Sequence, residues 1–251
     1  MMPTSSLHVT GVRVDGVTMS ETLEQIERFI AEGKPRRIVT VNLEYLRHAR
    51  SSPGFREALK AADLAVADGM PLLWASRLFR HSLPERITGV DLTEQCARLA
   101  AEKGYRLFLL GAGPGVAQSA AQTFRRRYPK LQVVSCYTPP IGDFSPEEEE
   151  RMCQAIAAAR PDILLVALPT PRQELWNHAN AQRWNVPVVI GVGAAFDMLS
   201  GEIARAPMWM RRCGLEWSFR LAIEPRRLWK RYLIHDTAVV LRILRSRGAP
   251  P

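Results

Sequence analysis

The chain has 251 residues, 47% hydrophobic and 24% charged, which excludes a disordered, collagen-like or mini-protein chain and fits one large domain, alone or with a small appendage. Its 34 Lys+Arg against 25 Asp+Glu give a net charge of +9, which suggests an anionic partner. The excess is localised: residues 205–251 hold 11 basic and 3 acidic residues, and residues 1–204 are nearly neutral.

In chain order, residues 7–19 read as a β-hairpin broken at Gly11. A helix follows over 20–33, with Ser20 as its N-cap. Arg37–Val41 reads as a strand, helices fill the chain to Ala62, and Asp63–Ala67 is a second strand closed by Asp68-Gly69. Residues 71–79 and Asp91–Lys103 read as helices. From there strands at 106–110, 131–137, 163–168 and 186–192 alternate with helices at 114–127, 146–159 and 171–184. This alternation predicts an α/β fold, a mainly parallel Rossmann-like sheet flanked by helices. After Ser200 no further strand is expected. Residues 207–248 read as helices mixing basic residues with Trp209, Trp217 and Trp229, half of the six tryptophans. The expected division is a core over 1–204 and a basic, aromatic-rich helical appendage over 205–251.

Four scattered cysteines form no C-x-x-C pair, which argues against a zinc site or disulfide framework. The N-terminus shows no signal-peptide pattern, and no apolar run approaches the ~18–20 residues of a membrane span. The expectation is a cytoplasmic protein.

Candidate chemistry gathers at strand ends, where open parallel sheets bind ligands. Thr40 and Asn42 end the first core strand, Asp68 the second, Gln173 follows the Pro169-Thr-Pro171 loop, and Asp197 follows the last strand. Asp68 is a candidate general base or simply half of a turn pair, and Asp197 a site residue or a helix cap. Arg86, on a loop, suits phosphate. The turn Gly111-Ala-Gly113-Pro-Gly115 either cradles a diphosphate or only turns tightly. It lacks the third glycine of G-x-G-x-x-G, and no acid ends the next strand, so a nicotinamide oxidoreductase is disfavoured. The basic, aromatic tail fits an anionic membrane surface, nucleic acid, or a helix packed on the core.

Several stretches together resemble the WecG/TagA/CpsF family of bacterial glycosyltransferases. They are Thr40-Val-Asn42, Asp68-Gly69-Met70, Arg86-Ile-Thr-Gly-Val-Asp91, Phe108-Leu-Leu-Gly111, Pro171-Arg-Gln173-Glu174, Gly191-Val-Gly193 with Phe196-Asp197, Arg205-Ala-Pro207, and Leu215-Glu-Trp through Glu224-Pro-Arg-Arg. The resemblance implies a compact transferase whose C-terminal appendage docks on the membrane, at the inner face of the cytoplasmic membrane, and completes the active site. It implies inverting transfer, with no metal or other cofactor, from a UDP-sugar to a polyprenyl-diphosphate-linked saccharide, with no nucleic acid as partner and a homo-oligomer as an option. Carried over position by position, it makes Asp68 the base. Thr40, Asn42, Arg86 and Gln173 match pocket positions, and Gly111, Gly113 and Asp197 join them as substrate-binding candidates from their place at the strand ends. Arg220 and Arg227 reach the diphosphate, and Lys230 or its neighbour Arg231 supplies the next cation.

Overall fold

A computed structural model of the protein describes residues 6–79, 83–140 and 142–245. Its centre is a six-stranded parallel sheet made of β3 (Arg36–Val41), β4 (Leu64–Ala67), β5 (Arg106–Gly111), β6 (Gln132–Tyr137), β7 (Ile163–Ala167) and β8 (Val188–Gly191). The strands lie in the order β4-β3-β8-β7-β5-β6. They are apolar almost throughout because both faces are covered, and alternate residues serve opposite faces. On one face Ile38, Val66, Leu109, Leu165 and Ile190 meet α1 (Met19–Glu32), α5 (Gly89–Lys103), α6 (Val116–Arg127) and α9 (Ala195–Ser200). On the other, Val39, Val41 and Ala65 meet α2 (Leu43–Ser51), α3 (Pro53–Lys60) and α4 (Met70–Leu78). There too Phe108, Leu164 and Val189 meet α7 (Pro146–Ala159) and α8 (Arg172–Trp184).

The hairpin β1 (Ser6–Val9) and β2 (Val12–Asp15) packs beside β4, the edge strand. An edge leaves N–H groups without partners. The buried Asp15 carboxylate accepts one of them, from Ala65, at 2.8 Å. The N-cap of helix α1 lies two residues earlier than expected. Its N-cap is Thr18, which forms a reciprocal capping box with Glu21, so Ser20 lies inside the helix.

The C-terminal region contains α10 (Met208–Arg212), α11 (Glu216–Ile223), α12 (Pro225–Trp229), a π-helical stretch (Lys230–Asp236) and α13 (Thr237–Arg245). It is bound to the core along its length. Leu228 is buried, and Val239 and Ile243 join the same apolar cluster as Leu46 and Ala49 of α2. The last six residues of the expected appendage lie outside the described residues. No helix among the described residues is long and apolar enough to cross a membrane.

Candidate active site

The carboxyl ends of β4, β3 and β8 form one side of a continuous edge. Where β4 stops, the Asp68 N–H bonds Val41 O at 2.7 Å and the Ile87 N–H bonds Ala67 O at 2.8 Å. Gly69 then turns the chain into α4 at φ +130°, a conformation that glycine alone takes without strain. The Asp68 side chain is thereby presented at the strand end. Burial pushes its carboxyl from 3.8 up to about 6, although part of the residue remains solvent-accessible. Arg86, Arg220 and Arg231 oppose that rise, and Glu216 adds to it. These neighbours come from the loop before α5, from α11 and from the π-helical stretch. Asp68 therefore sits where the core and the C-terminal region meet.

A chain of alternating charges fixes that junction. Arg86 Nη1 lies 3.0 Å from Glu216 Oε2. Glu216 also approaches Arg205 at 3.7 Å, Arg205 reaches Asp91 at 2.5 Å, and Arg211 lies 3.9 Å from Asp91. Arg220 stands 3.7 Å from Glu224, and its Nε is buried without a hydrogen-bond partner. Arg231 pairs with Glu44 at 3.0 Å and lies over the Tyr232 ring at 5.4 Å. Tyr232 stacks edge-on against Trp217, and burial raises its hydroxyl. Lys230 points outward, exposed, over the Trp229 ring at 5.6 Å. Of the two candidate cations, Arg231 is the one whose charge reaches Asp68.

Asp197 lies in the first turn of α9. Burial raises its carboxyl, while Arg227 and Arg220 oppose that rise and Glu224 adds to it. Arg227 is bonded to Glu224 at 2.7 Å and is largely exposed. Helix α9 packs beside α6, at whose start Gly115 provides no side-chain cap. In the preceding turn Gly111 adopts φ +106°, and a Cβ there would overlap Ala167 O, so the loop hugs β7. Gly113 has room for a methyl group. β5 is four strand spacings from β4, about 19 Å at 4.8 Å each. The glycine turn and Asp68 are thus opposite ends of one edge, with Asp197 and the arginines of α11 and α12 between them.

Three expected pocket residues make hydrogen bonds within the protein. The Thr40 hydroxyl is buried and donates to Gly191 O at 3.1 Å. Asn42 caps α2 by accepting the Tyr45 N–H at 3.1 Å. Gln173 is buried, with its four hydrogen-bonding positions taken by protein. Its Oε1 accepts from Leu168 N at 3.2 Å and Gly193 N at 2.9 Å. Its Nε2 donates to Tyr45 OH at 2.9 Å and Glu174 Oε1 at 2.8 Å. The Tyr45 hydroxyl in turn donates to Glu174 at 2.8 Å, and burial raises the Glu174 carboxyl. A Cβ on Gly191 would strike Glu174 and Gln173. In this structure Thr40 and Gln173 brace the loops after β7 and β8 from within; neither presents a free polar atom to the edge.

Glu44, Glu216, Tyr232 and Asp91 join the site without having been expected there. One signal was available: an acid inside a strongly basic tail has cations to pair with. All three acids of residues 205–251 lie among arginines, Asp236 near Arg231 included. No group of His, Cys, Asp and Glu among the described residues is arranged to hold a metal ion, and the positive charge at the edge comes from arginine.

A parallel α/β sheet that sets a desolvated carboxylate among arginines at its strand ends is an arrangement suited to an anionic ligand. The chain belongs to the glycosyl transferase WecG/TagA/CpsF family, whose sequence profile matches residues 7–250, and it is a glycosyltransferase. Among its relatives are proteins of Staphylococcus aureus strains COL and MW2, each named N-acetylglucosaminyldiphosphoundecaprenol N-acetyl-beta-D-mannosaminyltransferase. Each is 29% identical over 230 residues, covering 91% of this chain and 87% of the relative.

Proposed function

We propose that the protein transfers a hexose-type sugar from a UDP-sugar to a polyprenyl-diphosphate-linked saccharide in the synthesis of a cell-surface polysaccharide. The relatives' names supply the acceptor class: a diphosphoundecaprenol carrying N-acetylglucosamine. The observation that carries the mechanism is the placement of Asp68, with its carboxyl at about 6, among arginines from two parts of the chain.

At neutral pH such a carboxylate is mostly ionised yet basic enough to accept a proton. Asp68 takes the proton of the acceptor hydroxyl as its oxygen attacks the anomeric carbon, from the face opposite UDP, which inverts the centre. A general base typically contributes ~10²–10⁴ in rate. The C–O bond to UDP breaks with its electron pair on the diphosphate. Arg220, with its unpartnered Nε, and Arg86 and Arg231 stabilise that charge, and no metal ion is needed. Backbone N–H groups after Gly111 and Gly113, at the start of α6, suit a donor phosphate or the nucleotide. Asp197 and Arg227 lie between the two ends. Asn42, Thr40 and Gln173 hold the edge in shape, and Lys230 faces outward.

The C-terminal region also supports a peripheral place on the inner face of the cytoplasmic membrane. Trp209 and Trp217 are 61% and 42% exposed among basic residues, a combination suited to an anionic interface. Neither an oxidoreductase nor a nucleic-acid module accounts for the arginines turned inward on Asp68.

The test is UDP release with a lipid-diphosphate-linked N-acetylglucosamine acceptor, across a panel of UDP-sugars, with EDTA present. Acceptor-dependent release from one donor supports the reading and identifies the sugar. Release only with added divalent metal, or from a donor that is not a UDP-sugar, would refute it.

A further inference from the structure

Among its many charges the C-terminal region brings a neutral polar group to Asp68. Tyr232 lies in the π-helical stretch, a rare geometry that concentrates at functional sites. Two clamps fix it. On one side its neighbour Arg231 is tied to Glu44 at 3.0 Å, in the first turn of α2. Glu44 is three residues past Val41, whose carbonyl accepts the Asp68 N–H at 2.7 Å. On the other side the Tyr232 ring meets Trp217 edge-on, with centroids 6.2 Å apart, and Trp217 follows Glu216, which holds Arg86. Gly214, just before α11, is pressed so closely on Met70 that a Cβ there would strike it, and Met70 is two residues past Asp68. The ring is thus held from both flanks of the β4 strand end, with the Arg231 guanidinium over it at 5.4 Å.

The hydroxyl of that ring does not hold the fold together. Among the described residues it makes no hydrogen bond to protein, although the residue is half-buried. The other tyrosines differ. Tyr45, Tyr128 and Tyr137 give their hydroxyls to Glu174, Glu94 and Glu148, and Glu27 accepts from Tyr105. The charges that bear on the Tyr232 hydroxyl are those of Arg220, Arg231, Asp236 and Asp68. The arginines favour its ionisation, the carboxylates and burial oppose it, and burial prevails. At neutral pH the group is therefore a hydrogen-bond donor standing near a base. A phosphate at this edge has Arg86, Arg220 and Arg231 to bind it and needs no phenol. An uncharged sugar is oriented by neutral polar groups and aromatic rings. The acceptor sugar must bring one hydroxyl to Asp68, and its ring carries others beside that one.

We propose that Tyr232 binds the acceptor sugar, its hydroxyl donating a hydrogen bond to a sugar oxygen beside the hydroxyl that Asp68 deprotonates, with Trp217 backing the ring. The inference rests on the transfer reading above and adds to it the residue that recognises the acceptor saccharide.

The experiment is steady-state transfer by the full chain and by Tyr232→Phe, with the acceptor varied and then the UDP-sugar varied. The acceptors are lipid-diphosphate-linked N-acetylglucosamine and its monodeoxy analogues. Phenylalanine keeps the ring, its contact with Trp217 and its place under Arg231, and removes only the hydroxyl. The acceptor KM rises about tenfold at unchanged kcat, the loss of one neutral hydrogen bond made equally in the ground and transition states. The donor KM is unchanged, and Tm moves by no more than about 1 °C because the hydroxyl has no partner in the protein. One monodeoxy acceptor costs the parent a similar factor and costs the variant nothing, since the two changes remove the same bond. A parent-like acceptor KM in the variant would overturn the proposal, as would equal losses by both proteins on every analogue. A donor KM raised in place of the acceptor KM would assign the hydroxyl to the UDP-sugar and overturn it. A lowered Tm with both KM values raised would make Tyr232 structural. Each of those results leaves the transfer reading standing, whereas a parent protein that transfers sugar to none of these acceptors would remove that reading and the proposal together.

Discussion

Replacing Asp68 by Asn separates the demands of chemistry from those of folding. With its carboxyl raised from 3.8 to about 6, mainly by burial, Asp68 is held ionised in the folded protein at a cost of about 3 kcal/mol at neutral pH. Asparagine has nearly the same shape and no charge to desolvate, so Asp68→Asn removes most of that cost. For a chain of this length ~3 kcal/mol corresponds to roughly 5–10 °C in Tm. The gain also has a sign in pH. Below about pH 4 the carboxyl is protonated in the folded and unfolded chain alike, and variant and parent unfold together. As pH rises from about 4 to about 6 the folded protein must give up its proton against burial, the parent loses stability, and the gap opens to its full size above 6. The parent gains activity as the base ionises through about pH 6, and the variant loses ~10²–10⁴ in kcat at neutral pH. The assay is thermal unfolding of both proteins from pH 4 to 8, paired with UDP-release rates. A variant no more stable than the parent at pH 7.5 would refute the desolvation argument, and one with full activity would refute the base.

Glu216→Gln leaves Arg86 and Arg205 without their shared carboxylate. Side chains only 16% and 13% exposed make the Arg86–Glu216 pair costly to break, by about 3 kcal/mol. Limited proteolysis is expected to cut faster within residues 208–230, with activity reduced in parallel. Gln173→Ala strands the N–H groups of Leu168 and Gly193 and the Tyr45–Glu174 pair, and the urea midpoint falls by the equivalent of about 3 kcal/mol or more. Gly111→Ala forces a methyl group into Ala167 O at a left-handed position and lowers stability by about 2–4 kcal/mol, whereas Gly113→Ala, with open space, stays within about 1 kcal/mol by the same denaturation measurement.

The sheet was legible because its strands are short apolar runs separated by amphipathic helices, and every core strand expected from 37 to 192 is present. Their order was not, since β7 and β8 enter between β5 and β3 through contacts far apart in sequence. The cap of α1 was misread because Thr18, Met19 and Ser20 offer two hydroxyls, and only the position of Glu21 selects Thr18. Asp68 and Asp197 stood out by place, at strand ends. Gln173 and Thr40 stood out equally, but their side chains point inward, and a residue's position after a strand does not reveal which way it turns. The basic tail was visible as composition, while its π-helical stretch and the burial of Val239 and Ile243 depend on packing against α2. The charges that lock it down, Glu44 and Asp91, belong to the core and carry no sign of their partners in the local sequence.

Transfer of one sugar from a UDP-sugar to a lipid-diphosphate-linked saccharide, with Asp68 as the base, leaves its mark on the acceptor. Mass spectrometry of the acceptor lipid tests it most directly. The parent protein is expected to add a single sugar to the lipid-diphosphate-linked N-acetylglucosamine, mole for mole with UDP formed, and Asp68→Asn to add almost none in the same time while folding more stably. UDP formed without a gain in acceptor mass, or an equal gain with the variant, would contradict it.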